Sequence, residues 1–275
     1  MNFLEVVFMS KRVEIREDEK SLSYAKYYYE ELAPIPKENI EAMKQPCQAE
    51  LALKIQNRNR LFEEGYLDVE TGYCVMCDGT GFVANHLFMP EVTTEMFDWW
   101  FAWHGLGALR YTIWDSEDHY EARCINRAQA FNPSLSYREK YWGTTHLIRE
   151  DIGLGVDDIF VTFRNPKDMG FNSEKIGTSA CSTIVTSNGG SPNDGAPLGG
   201  LVMCHFVREV EGGIELRTRF WMGWHIVGDK EVKLLPDGVQ LPIEVPKALC
   251  AHAAKEFTNL ARLLPRIFAE EKDNW

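Results

Sequence analysis

The sequence predicts an α+β fold of the helix-grip kind, in which a curved antiparallel sheet wraps a long C-terminal helix and leaves a cavity between them. Three observations predict it. β-prone runs follow one another (LRYTIWD, YEARCIN, DIFVTFR, LVMCHFVREV and IELRTRFWMGWHIV) instead of alternating with helices, which is the order of an α+β protein and not of a parallel α/β sheet. The stretch CAHAAKEFTNLARLL, from Cys250, has apolar residues at helical spacing and lies near the end of the chain. A strongly aromatic helical segment, VTTEMFDWWFAWHG, stands before the strands, with Thr93 or Thr94 as its N-cap.

The elements fall into two blocks. Residues 1–68 are charged and read as a small helical N-terminal domain: YAKYYYEELAPIPKENIEAM and CQAELALKIQNRNRLFEEGY carry helical spacing broken by Pro34 and Pro36. No acid–base cluster occurs there, which leaves it the role of a lid or of a homodimer surface. Residues 69–275 form the second block, a helix-grip domain. It opens with DVETGYCVMCDGTGFVANHLFM, short β-prone runs set among turn residues. Gly212-Gly213 marks a two-residue hairpin between two of the strands. Pro246 begins the last helix, which is expected to run to about residue 270 with a kink at Pro265.

Composition narrows the function. The chain has 275 residues, 45% of them hydrophobic, enough for a sizeable core. Its formal charge of −12 argues against nucleic acid or an anionic membrane surface as partner. The seven cysteines are an odd, scattered set, and some lie inside apolar runs, as expected of reduced thiols in a cytoplasmic protein. The start, MNFLEVVFMSKRVEIRE, lacks the basic flank and cleavage site of a signal peptide, and no apolar run approaches the ~20 residues of a membrane span.

Several segments carry candidate chemistry. Cys74-Val-Met-Cys77 is a lone CxxC without the second pair of a structural zinc site, so its cysteines read as structural. The Gly-rich run of residues 186–200 lacks a phosphate-loop signature and reads as a long loop over the cavity. Two His-x-x-x-Glu pairs remain, His146/Glu150 in GTTHLIREDIG and His252/Glu256 in the terminal helix. Residues i and i+4 share one helix face, and imidazole nitrogen with carboxylate oxygen makes a suitable zinc donor set. His252 and Glu256 share their face with Leu249, Ala253, Leu260 and Leu264, so solvation does not account for them. A buried carboxylate needs a metal or a strong partner. His119, in WDSEDHYEAR, is a third candidate, and spacing alone does not choose between it and His146. Trp99, Trp100, Phe101, Trp103 and Trp114 offer an aromatic lining for a planar ligand, with ordinary core packing as the alternative for each.

With these residues in view the chain resembles the diacetylphloroglucinol hydrolase and phloretin hydrolase family. The resemblance covers most of the chain, from EELAPIP to the last helix. It implies a zinc enzyme that hydrolyses the carbon–carbon bond between a phloroglucinol ring and an acyl group, on a helix-grip domain with a small helical N-terminal domain. It also implies a small phenolic ketone as substrate. The family pattern of a histidine, a glutamate 31 residues on and a terminal His-x-x-x-Glu falls on His119, Glu150, His252 and Glu256, and so selects His119 over His146. A tyrosine eight residues before the first zinc histidine falls on Tyr111, and a substrate-binding histidine on a later strand falls on His205. Phe220 stands where some members carry a tyrosine, which puts the preferred acyl phenol in question. Alternation in LVMCHFVREV sets Val202, Cys204 and Phe206 on one face and Met203, His205 and Val207 on the other; both are apolar enough that the pattern does not decide which faces inward. The competing reading is a non-enzymatic helix-grip protein that binds an apolar or phenolic ligand without a tight metal. A zinc hydrolase of another ketone or ester would share the same site.

Overall fold

An eight-stranded antiparallel sheet frames the protein, whose computed structural model describes residues 12–191 and 200–275. The strands are β1 (Gly72–Val75), β2 (Gly81–Pro90), β3 (His119–Cys124), β4 (Thr145–Glu150), β5 (Asp157–Arg164), β6 (Thr183–Gly190), β7 (Leu201–Val210) and β8 (Gly213–Met222). Their spatial order is β1-β2-β8-β7-β6-β5-β4-β3, so β3 to β8 form a meander and β2 and β1 extend its far side. β9 (Trp224–Val227) and β10 (Lys230–Lys233) make a separate hairpin. Helices α1 (Lys37–Ala42), α2 (Thr94–Trp103), α3 (Ala108–Thr112), α4 (Arg127–Ala130) and α5 (Tyr137–Tyr141) are short, and α6 (Glu244–Glu271) is the long terminal helix.

α6 lies against β1, β2 and α2, and it runs without interruption through Pro265. Its inward face is the one the spacing predicts: Leu249, Ala253, Leu260 and Leu264 are buried, together with His252 and Glu256. α2 is capped by Thr93, whose side chain accepts a hydrogen bond from the Met96 amide. Trp99, Trp100 and Trp103 of α2 are fully buried, and Trp99 stacks on Trp103 with centroids 4.9 Å apart. The expected α+β helix-grip arrangement is therefore present.

Four local expectations change. LRYTIWD is not a strand but holds α3; every residue from Leu109 to Trp114 is buried, so the two-fold alternation of a half-exposed strand has no surface to express itself on. GTTHLIREDIG is strand β4, not a helix. Its alternating burial, with His146 and Ile148 in and Leu147 and Arg149 out, is the strand period. The β7–β8 turn is Glu211-Gly212, with Val210 opposite Gly213, one residue earlier than the Gly-Gly pair suggests. Gly212 has φ +81°, which accounts for glycine there. Before β1, the described residues hold α1 and three 3-10 turns (Glu19–Ser21, Ala25–Tyr29, Ile55–Phe62) where two longer helices were expected. Long polar side chains at helical spacing mimic helix propensity, whereas these residues are held by docking onto the rest of the protein.

That docking has two parts. Glu30 pairs with Arg266 (2.7 Å) and Tyr27 donates to Glu270 (2.8 Å), which holds the first turns on α6. Farther on, Ala52, Leu53, Ile55, Leu61 and Phe62 share a core with Val202, Cys204 and Phe206 of β7. The outer sheet face is thus covered, and Met203, His205 and Val207 face inward, toward α6. Of the Gly-rich run, residues 186–190 belong to β6, and residues 192–199 lie outside those described. The first eleven residues lie outside as well.

Candidate metal centre and substrate chamber

Two elements deliver the candidate ligands. β3 and β4 pair so that His119 stands directly opposite Glu150, which explains how residues 31 apart in sequence become neighbours. α6 presents His252 and Glu256 on consecutive turns of its buried face. His119 Nε2 lies 3.2 Å from His252 Nε2, 3.5 Å from Glu256 Oε2 and 4.0 Å from Glu150 Oε2. His252 Nε2 is also 4.0 Å from Glu150 Oε2. A tetrahedral ion about 2.0–2.1 Å from each donor needs donor–donor edges of about 3.3–3.4 Å, so small side-chain shifts bring all four to coordination distance.

The surroundings prepare the donors. His119 Nδ1 donates to the Tyr111 carbonyl (3.2 Å), which leaves the Nε2 lone pair for a metal. The Tyr111 ring stacks on His119 with centroids 3.9 Å apart, and its hydroxyl donates to Glu150. Burial holds His119 well below the usual histidine range, with the neighbouring His252 adding to the effect. Burial also opposes charge on His252, but Asp118, Glu256 and Glu150 outweigh it and raise the imidazole to about 9. Glu256 is raised well above the carboxylate range by burial and by Glu150, against the pull of His252. Two imidazoles, the buried Glu256 and the half-buried Glu150 make a donor set whose two carboxylates a divalent cation would neutralise.

A cluster of Asp115, His119 and His252 is also close enough to hold a metal ion. Asp115 is the weaker third ligand, because Lys255 Nζ already pairs with its Oδ2 at 2.9 Å. Lys255 also contacts Asp118, and Asp118 Oδ2 stands 3.6 Å from His252 Nδ1, in ion-pair range though too long for a hydrogen bond. Asp115, Asp118 and Lys255 therefore form a support behind the imidazole, one that the sequence reading missed. Its only signal was the acidic run just before His119.

Next to the cluster lies a chamber of about 80 Å³, lined by Phe101, His104, Tyr111, Trp114, His205, Phe220 and the candidate ligands Glu150, His252 and Glu256. It adjoins an apolar cavity of about 350 Å³ reached past Glu150, Leu201 and Leu249. Of the five aromatic residues proposed as lining, Phe101 and Trp114 reach the chamber, while Trp99, Trp100 and Trp103 pack as core. His205 lies in the chamber wall, its Nδ1 2.9 Å from Thr218 Oγ1, and burial drops it to about 3. His146 is not in the cluster. Four strand residues span about 13 Å, so His146 and Glu150 cannot share an ion, and His146 packs instead against Phe163 at a centroid distance of 4.9 Å.

Of the cysteines, Cys74 is buried on β1 and Cys77 is exposed, and all seven are free. No helix among the described residues is long and apolar enough to cross a membrane.

Fold and site together define a helix-grip protein with a His–carboxylate cluster, able to hold a metal ion, opening onto an aromatic-lined chamber. Residues 51–269 match the DAPG hydrolase PhiG domain, so the chain belongs to that family and is a hydrolase. It is 40% identical over 272 residues to phloretin hydrolase of Eubacterium ramulus, covering 96% of each chain. It is 28% identical to 2,4-diacetylphloroglucinol hydrolase of a Pseudomonas species, over 90% of this chain and 87% of that one. Among solved structures it is similar to Ara h 8.0201, with a TM-score of 0.41 and 11% identity over 68% of this chain and 98% of that one, too distant to carry an argument.

Proposed function

We propose that this chain is a zinc-dependent hydrolase that cleaves the carbon–carbon bond between a phloroglucinol ring and its acyl group, with phloretin as the substrate type. The observation that carries this reading is the convergence of His119, Glu150, His252 and Glu256 beside a chamber lined by Tyr111 and His205. Two supports favour a phloretin-type acyl group. One is the higher identity to a phloretin hydrolase than to a diacetylphloroglucinol hydrolase. The other is the 350 Å³ apolar cavity next to Glu150, which has room for an arylpropanoyl chain where an acetyl group would leave it empty.

His119, Glu150, His252 and Glu256 would hold the zinc. When bound, it supplies Lewis acidity toward the ketone oxygen and brings a water's pKa toward neutrality. The chain's own residues do the rest. Phe101, Trp114 and Phe220 exclude bulk water and flank a planar ring. Tyr111, hydrogen-bonded to Glu150, links a ligand carboxylate to the chamber and can pass a proton between them. His205 is held neutral by burial, and its nitrogen away from Thr218 exchanges a hydrogen bond with a ring hydroxyl, as acceptor when Nδ1 donates to Thr218 and as donor when it does not. The ring carbon must gain a proton as the acyl carbon gains hydroxide, and a 1,3,5-trihydroxy ring makes this feasible because it can tautomerise to a ketone. Water is consumed, and the products are phloroglucinol and a carboxylic acid.

The test is direct. Purified protein is expected to carry about one zinc per chain and to release phloroglucinol from phloretin. Stoichiometric zinc without cleavage of any acylphloroglucinol would sink the substrate assignment. A protein that binds phenols but no metal would favour the binding-protein reading.

A further inference from the structure

His104 follows α2 and lies in the chamber wall, only 2% exposed. Its ring is parallel to Trp100 (centroids 5.6 Å, 16° between planes), and Trp114 and Phe101 meet it edge-on at 5.4 and 5.3 Å. Nδ1 is 2.9 Å from the Trp100 carbonyl, an acceptor only, so Nδ1 carries the proton and Nε2 carries the lone pair. Nε2 has no hydrogen-bond partner among the described residues. Burial holds the imidazole down at about 4, so it is neutral across the physiological range.

A phenylalanine here would satisfy the same aromatic contacts without leaving an acceptor unpaired. His104 Nε2 is not among the fully enclosed polar atoms, so it opens onto the chamber, where a ligand hydroxyl can reach it. His205 also meets Phe101: one of its nitrogens is tied to the Thr218 hydroxyl, and its ring lies 5.4 Å from Phe101. The chamber therefore presents two neutral imidazoles against Phe101, of which His104 is fixed as an acceptor by the Trp100 carbonyl. Hydroxyl groups meta to one another on a flat ring point to different walls, and imidazoles from two different elements, the end of α2 and β7, suit that pattern. An ionised acid would meet no cation at either imidazole.

We propose that His104 Nε2 binds substrate, accepting a hydrogen bond from a ring hydroxyl that His205 does not take, and so helps select a polyhydroxylated ring. This rests on the acylphloroglucinol reading and adds a residue to it.

The experiment uses zinc-loaded protein, with calorimetric binding of phloroglucinol and kcat/KM on phloretin as readouts. His104→Phe is expected to lose about 10- to 100-fold in both while zinc content stays at the wild-type value, the factor expected for one lost buried hydrogen bond. His104→Gln places an amide oxygen near the position of Nε2 and is expected to recover much of the loss. A second arm needs no variant: wild-type protein should bind resorcinol more weakly than phloroglucinol, and His104→Gln should keep that preference. If His104→Phe stays within about twofold of wild type in ring binding and turnover, the proposal is wrong while the acylphloroglucinol reading stands. A variant that fails to fold leaves the resorcinol comparison, and equal binding of the two rings by wild-type protein also overturns the proposal. Wild-type protein inert toward both phloretin and phloroglucinol would take down the two readings together.

Discussion

At His119 the backbone decides which nitrogen is free. The Tyr111 carbonyl accepts a hydrogen bond from Nδ1–H, which fixes the tautomer, and the Tyr111 ring lies flat on the imidazole, which fixes its rotation. His146 has no comparable arrangement. Its Nδ1 has no partner, and a side chain added at Gly105 would come within 2.1 Å of that atom, so tight packing alone holds it. His119→Ala is therefore expected to lose zinc, and His146→Ala to keep it at reduced stability, with metal content and a thermal melt as the measurements. Zinc lost in the second variant and kept in the first would reverse the assignment. Little of this was legible from spacing. A His-x-x-x-Glu pair looks the same on a strand as on a helix, and only strand geometry puts its ends ~13 Å apart. The α6 pair was legible because its apolar flanks announced a buried helix face. His104 was not, because a histidine among tryptophans reads as core until the cavity beside it is known.

Among the elements, β8 shows why the covering of the sheet was hard to foresee. ELRTRFW alternates charged and apolar residues, which reads as a strand with a wet face, yet the side chains of Arg217 and Arg219 are 1% and 0% exposed. Glu70, some 150 residues earlier, pairs with both, at 2.5 Å and 2.6 Å. Burial works against charge on Glu70, but the two guanidinium groups outweigh it and hold its carboxyl at about 2. Such a lowered carboxyl stabilises the fold fully above the usual carboxylate range, and that contribution fades as pH falls toward 2. Glu70→Gln would leave two buried cations without a counter-charge and is expected to cost about 3–5 kcal/mol at pH 7, read from urea denaturation. A loss under 1 kcal/mol would mean that water reaches these arginines. The strands themselves were legible as β-prone runs. Which outer face is covered depends on a partner far away in sequence, and no local pattern carries that.

For the whole molecule, the inward-facing histidines set an acid limit. His104, His146 and His205 are all buried and sit at about 4, about 3 and about 3, each depressed chiefly by burial. An ordinary histidine in the unfolded chain titrates near 6.5, so below that pH the unfolded state binds protons that the folded state refuses. Stability therefore falls as pH drops from about 6.5 toward 4, and it is insensitive to these three groups above about 7. Other groups titrate in the same range, so total stability does not isolate the effect, but a difference between variants does. His146 is the cleanest probe because it lies outside the metal cluster. For this one residue the penalty at pH 4 is on the order of 3 kcal/mol relative to pH 7, at ~1.4 kcal/mol for each unit between 6.5 and 4. His146→Gln removes the titrating group, so its stability relative to wild type should improve by about that amount between pH 7 and pH 4, whatever the substitution costs at pH 7. Urea denaturation of both proteins at the two pH values measures it. Parallel pH profiles would mean that His146 titrates normally, and that water reaches it past the packing of Phe163 and Gly105.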